Sequence, residues 1–144
     1  MAGEHYYISD LHLAPHTRGV NALFDYFIAN FAQGAASLTI NGDLFNSYYG
    51  FKQLKRSFYR DICRQLRGLV GSGTRVDFVG GNRDFLFVKD APRYGMRGYL
   101  DEVYRQLPKD RVAAIHGDGF CLDDRGHQRM RKVLRVLPLR GMNY

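Results

Sequence analysis

The sequence predicts an α/β fold in which a mostly parallel sheet is covered by helices. Short segments rich in β-branched and aromatic residues, at 6–8, 37–40, 75–79 and 112–115, predict strands and are separated by segments that include amphipathic helical patterns. The 144 residues are enough for one domain with a real core but hardly for two. Right-handed crossovers place the carboxyl ends of parallel strands along one edge, where α/β folds bind ligands.

Composition limits the classes of protein that fit. Apolar content of 45% and charged content of 24% are those of a soluble globular chain. No apolar run approaches a membrane span and the first residues do not form a signal peptide, so we expect a cytoplasmic protein. The two cysteines, Cys63 and Cys121, are too few for a disulfide scaffold and lack metal-finger spacing, which predicts reduced thiols.

The net charge of +7 is unevenly distributed. Arg18 is the only lysine or arginine up to Phe51, and the chain is basic from Lys52 onward. This balance favours a polyanionic partner, which charge alone leaves open as nucleic acid, anionic lipid or a phosphate-bearing substrate.

The first half of the chain predicts two strands and two helices. Strand 6–8 precedes Asp10 and His12, and a helix at 19–33 follows with one apolar stripe. Strand 37–40 ends before Asp43, and residues 44–50 form an aromatic loop. In that loop Phe45 is predicted to pack inside, whereas Tyr48 and Tyr49 fit either packing or the lining of a substrate cleft.

A long helix is predicted at 51–70, with leucines and Phe58 on its apolar face. Basic residues recur on it at every fourth position, and a solvated helix face is the favoured interpretation of this stripe: Lys52, Arg56, Arg60 and Arg64. Strand 75–79 then opens into a glycine-rich polar turn. Residues 89–98 are predicted as loop, 99–106 as a short helix, and 112–115 as a fourth strand that ends at His116.

The four strand ends share one property, because each is followed by side chains that can bind a metal. These side chains are Asp10 with His12, Asp43, Asn82 and His116. A solvated aspartate with a chance histidine nearby explains one such end, but four are better explained by a metal site. Two metals held close together need a shared carboxylate, for which Asp43 is the natural choice, and such a pair can activate water against a phosphoryl group.

These motifs resemble, in order, those of the calcineurin-like metallophosphoesterases. The motifs are Asp10-Leu11-His12, Gly42-Asp43, Gly81-Asn82 and His116-Gly117-Asp118. The longer matches are similar to one subfamily, the UDP-2,3-diacylglucosamine pyrophosphohydrolases of lipid A biosynthesis. They are Ile8 to Leu13, Gly42-Asp43-Leu44-Phe45, Asn82-Arg83-Asp84-Phe85-Leu86 and the pair Asp123-Asp124. The resemblance implies a calcineurin-like α/β sandwich of which only the N-terminal part is present.

The resemblance also implies roles for individual residues. Asp10 and His12 would bind one metal ion, Asn82 and His116 the other, and Asp43 would bind both. The two ions would be divalent and are expected to be Mn²⁺. Catalysis is assigned to a set that overlaps the metal ligands: Asp43, Asn82, Arg83 and His116. Substrate contacts are assigned to Asn82, Arg83, Asp124 and His127, where Arg83 would stabilise phosphate charge through its forked guanidinium.

Two departures from the family pattern affect these expectations. His127 stands where the family usually has tyrosine, and the family's later Gly-His-x-His motif is absent. We therefore expect a single domain over residues 1–144 that is incomplete at its C-terminus, with 123–144 as the start of a basic helical lid. The alternating basic and apolar residues of this tail also fit an interfacial helix on an anionic membrane.

The predicted function is metal-dependent hydrolysis of UDP-2,3-diacylglucosamine to 2,3-diacylglucosamine 1-phosphate and UMP, by a metallohydrolase. The expected partners are this UDP-linked acylated sugar and the anionic inner face of the bacterial inner membrane, without a specific nucleic acid. The alternatives are another metallophosphoesterase acting on nucleotides or nucleic acid, and a non-catalytic basic binding protein. The sequence carries no nucleic-acid-binding motif that would favour the last alternative.

Overall fold

A computed structural model of the chain describes residues 3–107, 110–120 and Arg129. Four parallel strands form the main sheet in the order β1-β2-β3-β4, and two antiparallel strands, β5 and β6, form a second sheet. The strands are β1 (His5–Ile8), β2 (Ser37–Asn41), β3 (Arg75–Val79), β4 (Arg97–Tyr99), β5 (Glu102–Gln106) and β6 (Arg111–Ile115). The α/β class with a parallel sheet is therefore confirmed.

Apolar side chains fill the space between the main sheet and the helices. Leu38 and Ile40 of β2 and Phe78 of β3 are fully buried, as expected for central parallel strands covered by helices. Phe45 lies at the centre of an aromatic cluster, with its ring centroid 5.2 Å from that of Phe87 and 5.4 Å from that of Tyr59. The prediction that Phe45 packs inside is confirmed.

The first helix is α1 (Arg18–Phe27), and it continues into a π-helical segment at Ile28–Ala32. Phe24 and Ile28 are buried against the core, but Leu23 is 68% exposed and Phe31 is 47% exposed. The predicted single buried stripe was thus wrong for part of the helix. Phe31 lies inside the π-helical segment, whose wider turn changes the angular spacing of its residues, whereas Leu23 precedes that segment and lies on the solvent side of α1.

The predicted helix at 51–70 is two elements. A 3-10 turn at Phe51–Lys55 is separated by the extended residue Arg56 from α2 (Ser57–Gly71). The side chain of Gln53 accepts a hydrogen bond from the Tyr49 amide (2.9 Å) and donates one to the Ser47 carbonyl (2.8 Å). Because these bonds hold the turn against the preceding loop, the predicted continuous basic stripe does not lie on one helix.

The prediction of a short helix at 99–106 was wrong. Residues of β5 alternate between exposed and buried, with Val103 and Arg105 facing inward, which is the period of a strand. The predicted loop at 89–98 contains further 3-10 structure at Ala91–Tyr94 and the start of β4. The strand at 112–115 exists as part of β6, but it pairs with β5 and not with the parallel sheet.

Two contacts attach the β5–β6 hairpin to the main sheet. Val103 and Ala114 of the hairpin pack against Val79 of β3. The guanidinium of Arg105 donates to the Asp77 carboxylate and, over 3.4 Å, to the Thr39 hydroxyl. The ion pair is buried, and it fixes the hairpin against β2 and β3. None of the helices in the described part of the chain is both long and apolar enough to cross a membrane.

Candidate metal centre

The five predicted ligands lie on four loops that meet at the carboxyl edge of the main sheet. Asp10 and His12 follow β1, Asp43 follows β2, Asn82 follows β3, and His116 follows β6. Ligand atoms of Asp10, His12 and Asp43 all lie within 4.8 Å of one another, so these three residues form a group that could hold a metal ion. We call the five residues the metal-ligand cluster.

Asp43 lies at the centre of the metal-ligand cluster and is 3% exposed. Its Oδ2 atom is 3.8 Å from His12 Nδ1, and its Oδ1 atom is 3.7 Å from His116 Nε2. One carboxylate oxygen therefore faces each histidine, which is the arrangement expected of a carboxylate shared between two cations.

The backbone at the ligands is held in an uncommon conformation. Asp10, His12 and Asp43 have φ values of 56°, 50° and 52°, in the left-handed region. Such residues cost roughly 1–3 kcal/mol each and are concentrated at functional sites. Here the strain is maintained by hydrogen bonds between the loops, from the Asp10 amide to the Gly42 carbonyl (3.2 Å) and from the His12 amide to the Asp43 carbonyl (2.9 Å).

His116 reaches the cluster from the second sheet. Its Nδ1 atom is 2.8 Å from the Asn41 carbonyl oxygen, which can only accept, so Nδ1 carries the proton and donates. The unprotonated Nε2 atom is then left facing Asp43 and Asn82. A histidine oriented in this way by a backbone carbonyl is typical of metal-binding imidazoles.

Asn82 closes the cluster opposite Asp43. Its side-chain amide lies 3.2 Å from His116 Nε2. With its nitrogen turned into the site, the amide donates to Asp43 Oδ2 over 2.9 Å and to His116 Nε2. The hydrogen-bond partners therefore favour the nitrogen-inward orientation, and a cation beside His116 would favour the reverse orientation, in which the amide oxygen is a ligand atom.

Two glycines make this close approach possible. A Cβ atom on Gly81 would lie 2.2 Å from Asp43 Oδ1, and one on Gly42 would lie 2.7 Å from His116 Nδ1. Both contacts are well below van der Waals distance. Only glycine therefore fits at these two positions without displacing a ligand of the cluster.

Asp84 organises the loops and was assigned no role from the sequence. This fully buried carboxylate accepts hydrogen bonds from the backbone amides of Asp43 (3.0 Å), Phe45 (3.1 Å) and Gly81 (3.2 Å). Burial, with the neighbouring Asp43 charge as a smaller contribution, raises the pKa of Asp84 to about 7 against the opposing effect of these amides. Its place in a glycine-rich turn at a strand end was the available sequence signal.

Arg83 is placed beside the cluster without being one of its ligands. Its backbone amide donates to Asp43 Oδ1 over 3.0 Å, and its guanidinium Nη1 donates to Asn46 Oδ1 over 3.1 Å. The side chain is exposed. An arginine held next to the carboxylate oxygen is able to reach an anion that approaches the cluster.

The donor set fits a divalent cation. His12 Nδ1 is buried and, within the described ranges, has no hydrogen-bond partner, although a buried polar atom normally has one. Carboxylate oxygens, imidazole nitrogens and an amide oxygen are ligands that suit first-row divalent metals. The expected substrate contacts Asp124 and His127 lie outside the described residues, as does all of the expected lid at 123–144 except Arg129.

Comparison with known proteins gives relatives that share one name and a similar sequence identity to this chain. UDP-2,3-diacylglucosamine hydrolase of Pseudomonas syringae pv. tomato is 38% identical over 129 residues, which is 89% of this chain and 52% of that protein. The protein of the same name from Neisseria meningitidis serogroup B is 37% identical over 131 residues, 90% of this chain and 54% of that protein. The one from Edwardsiella ictaluri is 36% identical, with 93% of this chain and 55% of that protein covered.

No protein-family model matches the chain. The chain spans about half the length of the curated relatives it matches. The resemblance indicated by the sequence motifs is nevertheless confirmed, because about nine-tenths of this chain is similar to UDP-2,3-diacylglucosamine hydrolases from several bacteria.

Proposed function

We propose that this chain acts in the hydrolysis of the pyrophosphate bond of UDP-2,3-diacylglucosamine, within a calcineurin-like α/β sandwich. The observation that carries the proposal is the convergence of Asp10, His12, Asn82 and His116 on Asp43. The relatives named for this substrate support the same reaction. Dinuclear sites of this donor type are suited to phosphoryl chemistry.

In this proposal Asp10 and His12 hold one divalent cation, Asn82 and His116 hold a second, and Asp43 is shared by both. Manganese is the proposed ion because its coordination is compatible with mixed oxygen and imidazole ligands. When bound, the cations supply charge neutralisation at the phosphates and activation of water.

The chain's own groups then orient the substrate. The Arg83 guanidinium binds a phosphate oxygen, and the Asn82 amide donates to another. His116 keeps its Nε2 atom on the site because its Nδ1–H is occupied by the Asn41 carbonyl. Water adds across one bridging P–O bond, so that one phosphate gains the water oxygen and the other leaves with the bridging oxygen; attack at either phosphorus gives 2,3-diacylglucosamine 1-phosphate and UMP.

Further assignments belong to the same proposal. Asp124 contacts the sugar or uridine part of the substrate, with His127 beside it, and residues 123–144 begin a basic lid that contacts the acyl chains. We also propose that the protein works on the inner face of the bacterial inner membrane, where a substrate with two acyl chains resides. The basic tail would favour such an anionic surface.

Arg83→Ala tests the proposal most directly. We expect turnover of UDP-2,3-diacylglucosamine to fall by about 100-fold, because a charge-assisted contact to phosphate is lost. Bound manganese, measured by metal analysis, should be unchanged because Arg83 is not a ligand. The assay should compare this chain with a longer chain that carries the Gly-His-x-His motif.

Arg67→Ala provides the matched control, since Arg67 is an exposed arginine of α2 away from the cluster. Its turnover and metal content should equal those of the unmodified protein. Unchanged turnover in Arg83→Ala would contradict the role of Arg83. The absence of hydrolysis in both the short and the longer chain would contradict the proposed function.

A further inference from the structure

Apart from the metal-ligand cluster, the chain has a region of basic side chains that line a cleft of about 740 Å³. Cationic and aromatic side chains line it. Those used in the argument are Tyr49, Phe51, Lys52, Arg56, Lys89 and Arg93. We call this region the cationic cleft; none of its residues belongs to the metal-ligand cluster.

Positive charge exceeds negative charge in the cationic cleft. Four of its lining residues are lysine or arginine, and Asp90 is the one carboxylate among those lining it. Asp90 is already engaged, since its Oδ1 atom accepts from Arg93 over 3.0 Å and its Oδ2 atom accepts from the Tyr48 hydroxyl over 2.7 Å. Within the described ranges, Arg56 and Lys89 have no carboxylate partner.

The chain positions Arg93 before any ligand arrives. Its guanidinium carbon lies 4.4 Å from the centroid of the Phe51 ring, and the same group is held by Asp90. A cation held by both an aromatic face and a carboxylate loses less conformational entropy when it binds an anion.

The interruption of the predicted helix at Arg56 changes where its first basic side chains lie. On a continuous helix, Lys52 and Arg56 would share a solvated stripe with Arg60 and Arg64. The extended backbone at Arg56 instead leaves Lys52 and Arg56 lining the same concave region as Lys89 and Arg93. Convergent cations in a concave region attract anions more strongly than the same charges on a convex face.

We infer that the cationic cleft is a second anion-binding site, which takes a phosphate group independently of the metal-ligand cluster. Arginine and lysine together bind phosphate oxygens by charge-assisted hydrogen bonds, and the exposed ring of Tyr49 offers a surface for the group attached to the phosphate. The phosphate belongs either to a soluble compound or to a lipid headgroup. This inference goes beyond the proposed hydrolysis and does not depend on it.

The site adjoins the metal-ligand cluster through residue Tyr48. The Tyr48 amide donates to the Arg83 carbonyl over 3.0 Å, while its hydroxyl holds Asp90 on the cleft side. A phosphate bound in the cationic cleft would therefore lie next to the loop that carries Arg83.

Binding is tested with the full 144-residue chain in EDTA, so that any phosphate bound through metal at the metal-ligand cluster is removed from the measurement. Inorganic pyrophosphate is titrated by calorimetry, and sedimentation with phosphatidic acid vesicles is compared with phosphatidylcholine vesicles. We expect saturable binding of one probe, weakened about tenfold or more in the double variant Arg56→Gln/Lys89→Gln. Arg67→Gln/Arg64→Gln removes the same charge from the exposed side of α2 and should retain affinity within about twofold.

The calorimetric and the sedimentation measurements together identify the source of the phosphate. Cleft-dependent binding of pyrophosphate assigns a soluble phosphate compound, and cleft-dependent sedimentation with phosphatidic acid alone assigns a lipid headgroup. No saturable binding of either probe, or equal losses in the two double variants, would overturn the inference. Thermal unfolding of both double variants verifies that they fold. If the unmodified protein binds phosphate in EDTA but no hydrolysis is found, that result would count against the proposed function alone.

Discussion

The metal-ligand cluster and the cationic cleft meet at residues 46–49, but they are built in different ways. In the cluster, the buried carboxylate of Asp43 and the strained backbone are fixed by hydrogen bonds between loops that come from β1, β2 and β3. In the cleft, exposed lysine and arginine side chains extend from short turns and from the start of α2. Metal binding at the cluster should therefore change when a single ligand atom is replaced, whereas phosphate binding in the cleft should depend on its net charge and on ionic strength.

The largest effect is expected at Asp43, which faces both histidines of the cluster. Asp43→Asn keeps the shape of the side chain but removes the shared negative charge. We expect the affinity for Mn²⁺, measured by calorimetry, to fall by about 100-fold or more. Pyrophosphate binding in EDTA should be unchanged, because the cationic cleft does not contain this residue.

Asp61→Asn is the control for this prediction, since Asp61 is an exposed aspartate of α2 that pairs with Arg60 and Arg64. Its Mn²⁺ affinity should equal that of the unmodified chain. An affinity within threefold of normal in Asp43→Asn would show that the carboxylate is not shared between bound ions.

An added methyl group at Gly81 is expected to have the second largest effect. The new Cβ atom would lie 2.2 Å from Asp43 Oδ1 and 2.3 Å from the Asp43 amide nitrogen, so the two loops must separate. We expect Gly81→Ala to lower the free energy of unfolding by about 2–3 kcal/mol, measured with urea.

For Gly68→Ala we expect the opposite change in the free energy of unfolding. Nothing lies within 4 Å of a Cβ at this position of α2, so alanine should raise the free energy of unfolding by about 0.5–1 kcal/mol through its better helix propensity. Similar losses in both variants would mean that the close approach of the two loops is not what limits stability.

The smallest effect is expected at Tyr48, which connects the two regions. Tyr48→Phe removes the hydroxyl that donates to Asp90 over 2.7 Å in a buried setting. The free energy of unfolding should fall by about 1–2 kcal/mol, because the carboxylate loses a hydrogen bond. The adjacent Tyr49 is 77% exposed, and Tyr49→Phe should change stability by less than about 0.5 kcal/mol. Equal stability of the two variants would remove Tyr48 as the structural link.

Local patterns in the sequence were sufficient for the central strands and for the choice of ligands. Residues 37–40 and 75–79 are short segments in which apolar residues alternate with polar ones, and they lie in β2 and β3, respectively, as predicted. A parallel sheet brings the residues after its strands to one edge, so the proximity of Asp10, His12 and Asp43 followed from the order of the elements.

Specific side-chain bonds and strand pairing decided what the pattern of apolar residues could not. The apolar pattern predicts a helix at 51–70. The side chain of Gln53 instead forms hydrogen bonds with the backbone of residues 47 and 49, and the α-helix begins only after Arg56. Residues 99–106 became strand because β5 pairs with β6 and Arg105 reaches Asp77 across the two sheets. The spacing of apolar residues does not encode a side-chain bond such as that of Gln53 or the pairing of β5 with β6, and Asp77 lies 28 residues from Arg105, outside any local window.

The sequence by itself determined which side chains could bind a metal and in which order they follow their strands. Only the tertiary structure decided that His116 follows a strand of an antiparallel hairpin and that the buried Asp84 holds three backbone amides. It also decided that Lys52 and Arg56 line one cleft together with Lys89 and Arg93. Ligand chemistry is a property of individual residues, whereas burial, hydrogen-bond partners and the convergence of charge arise only when distant segments pack together.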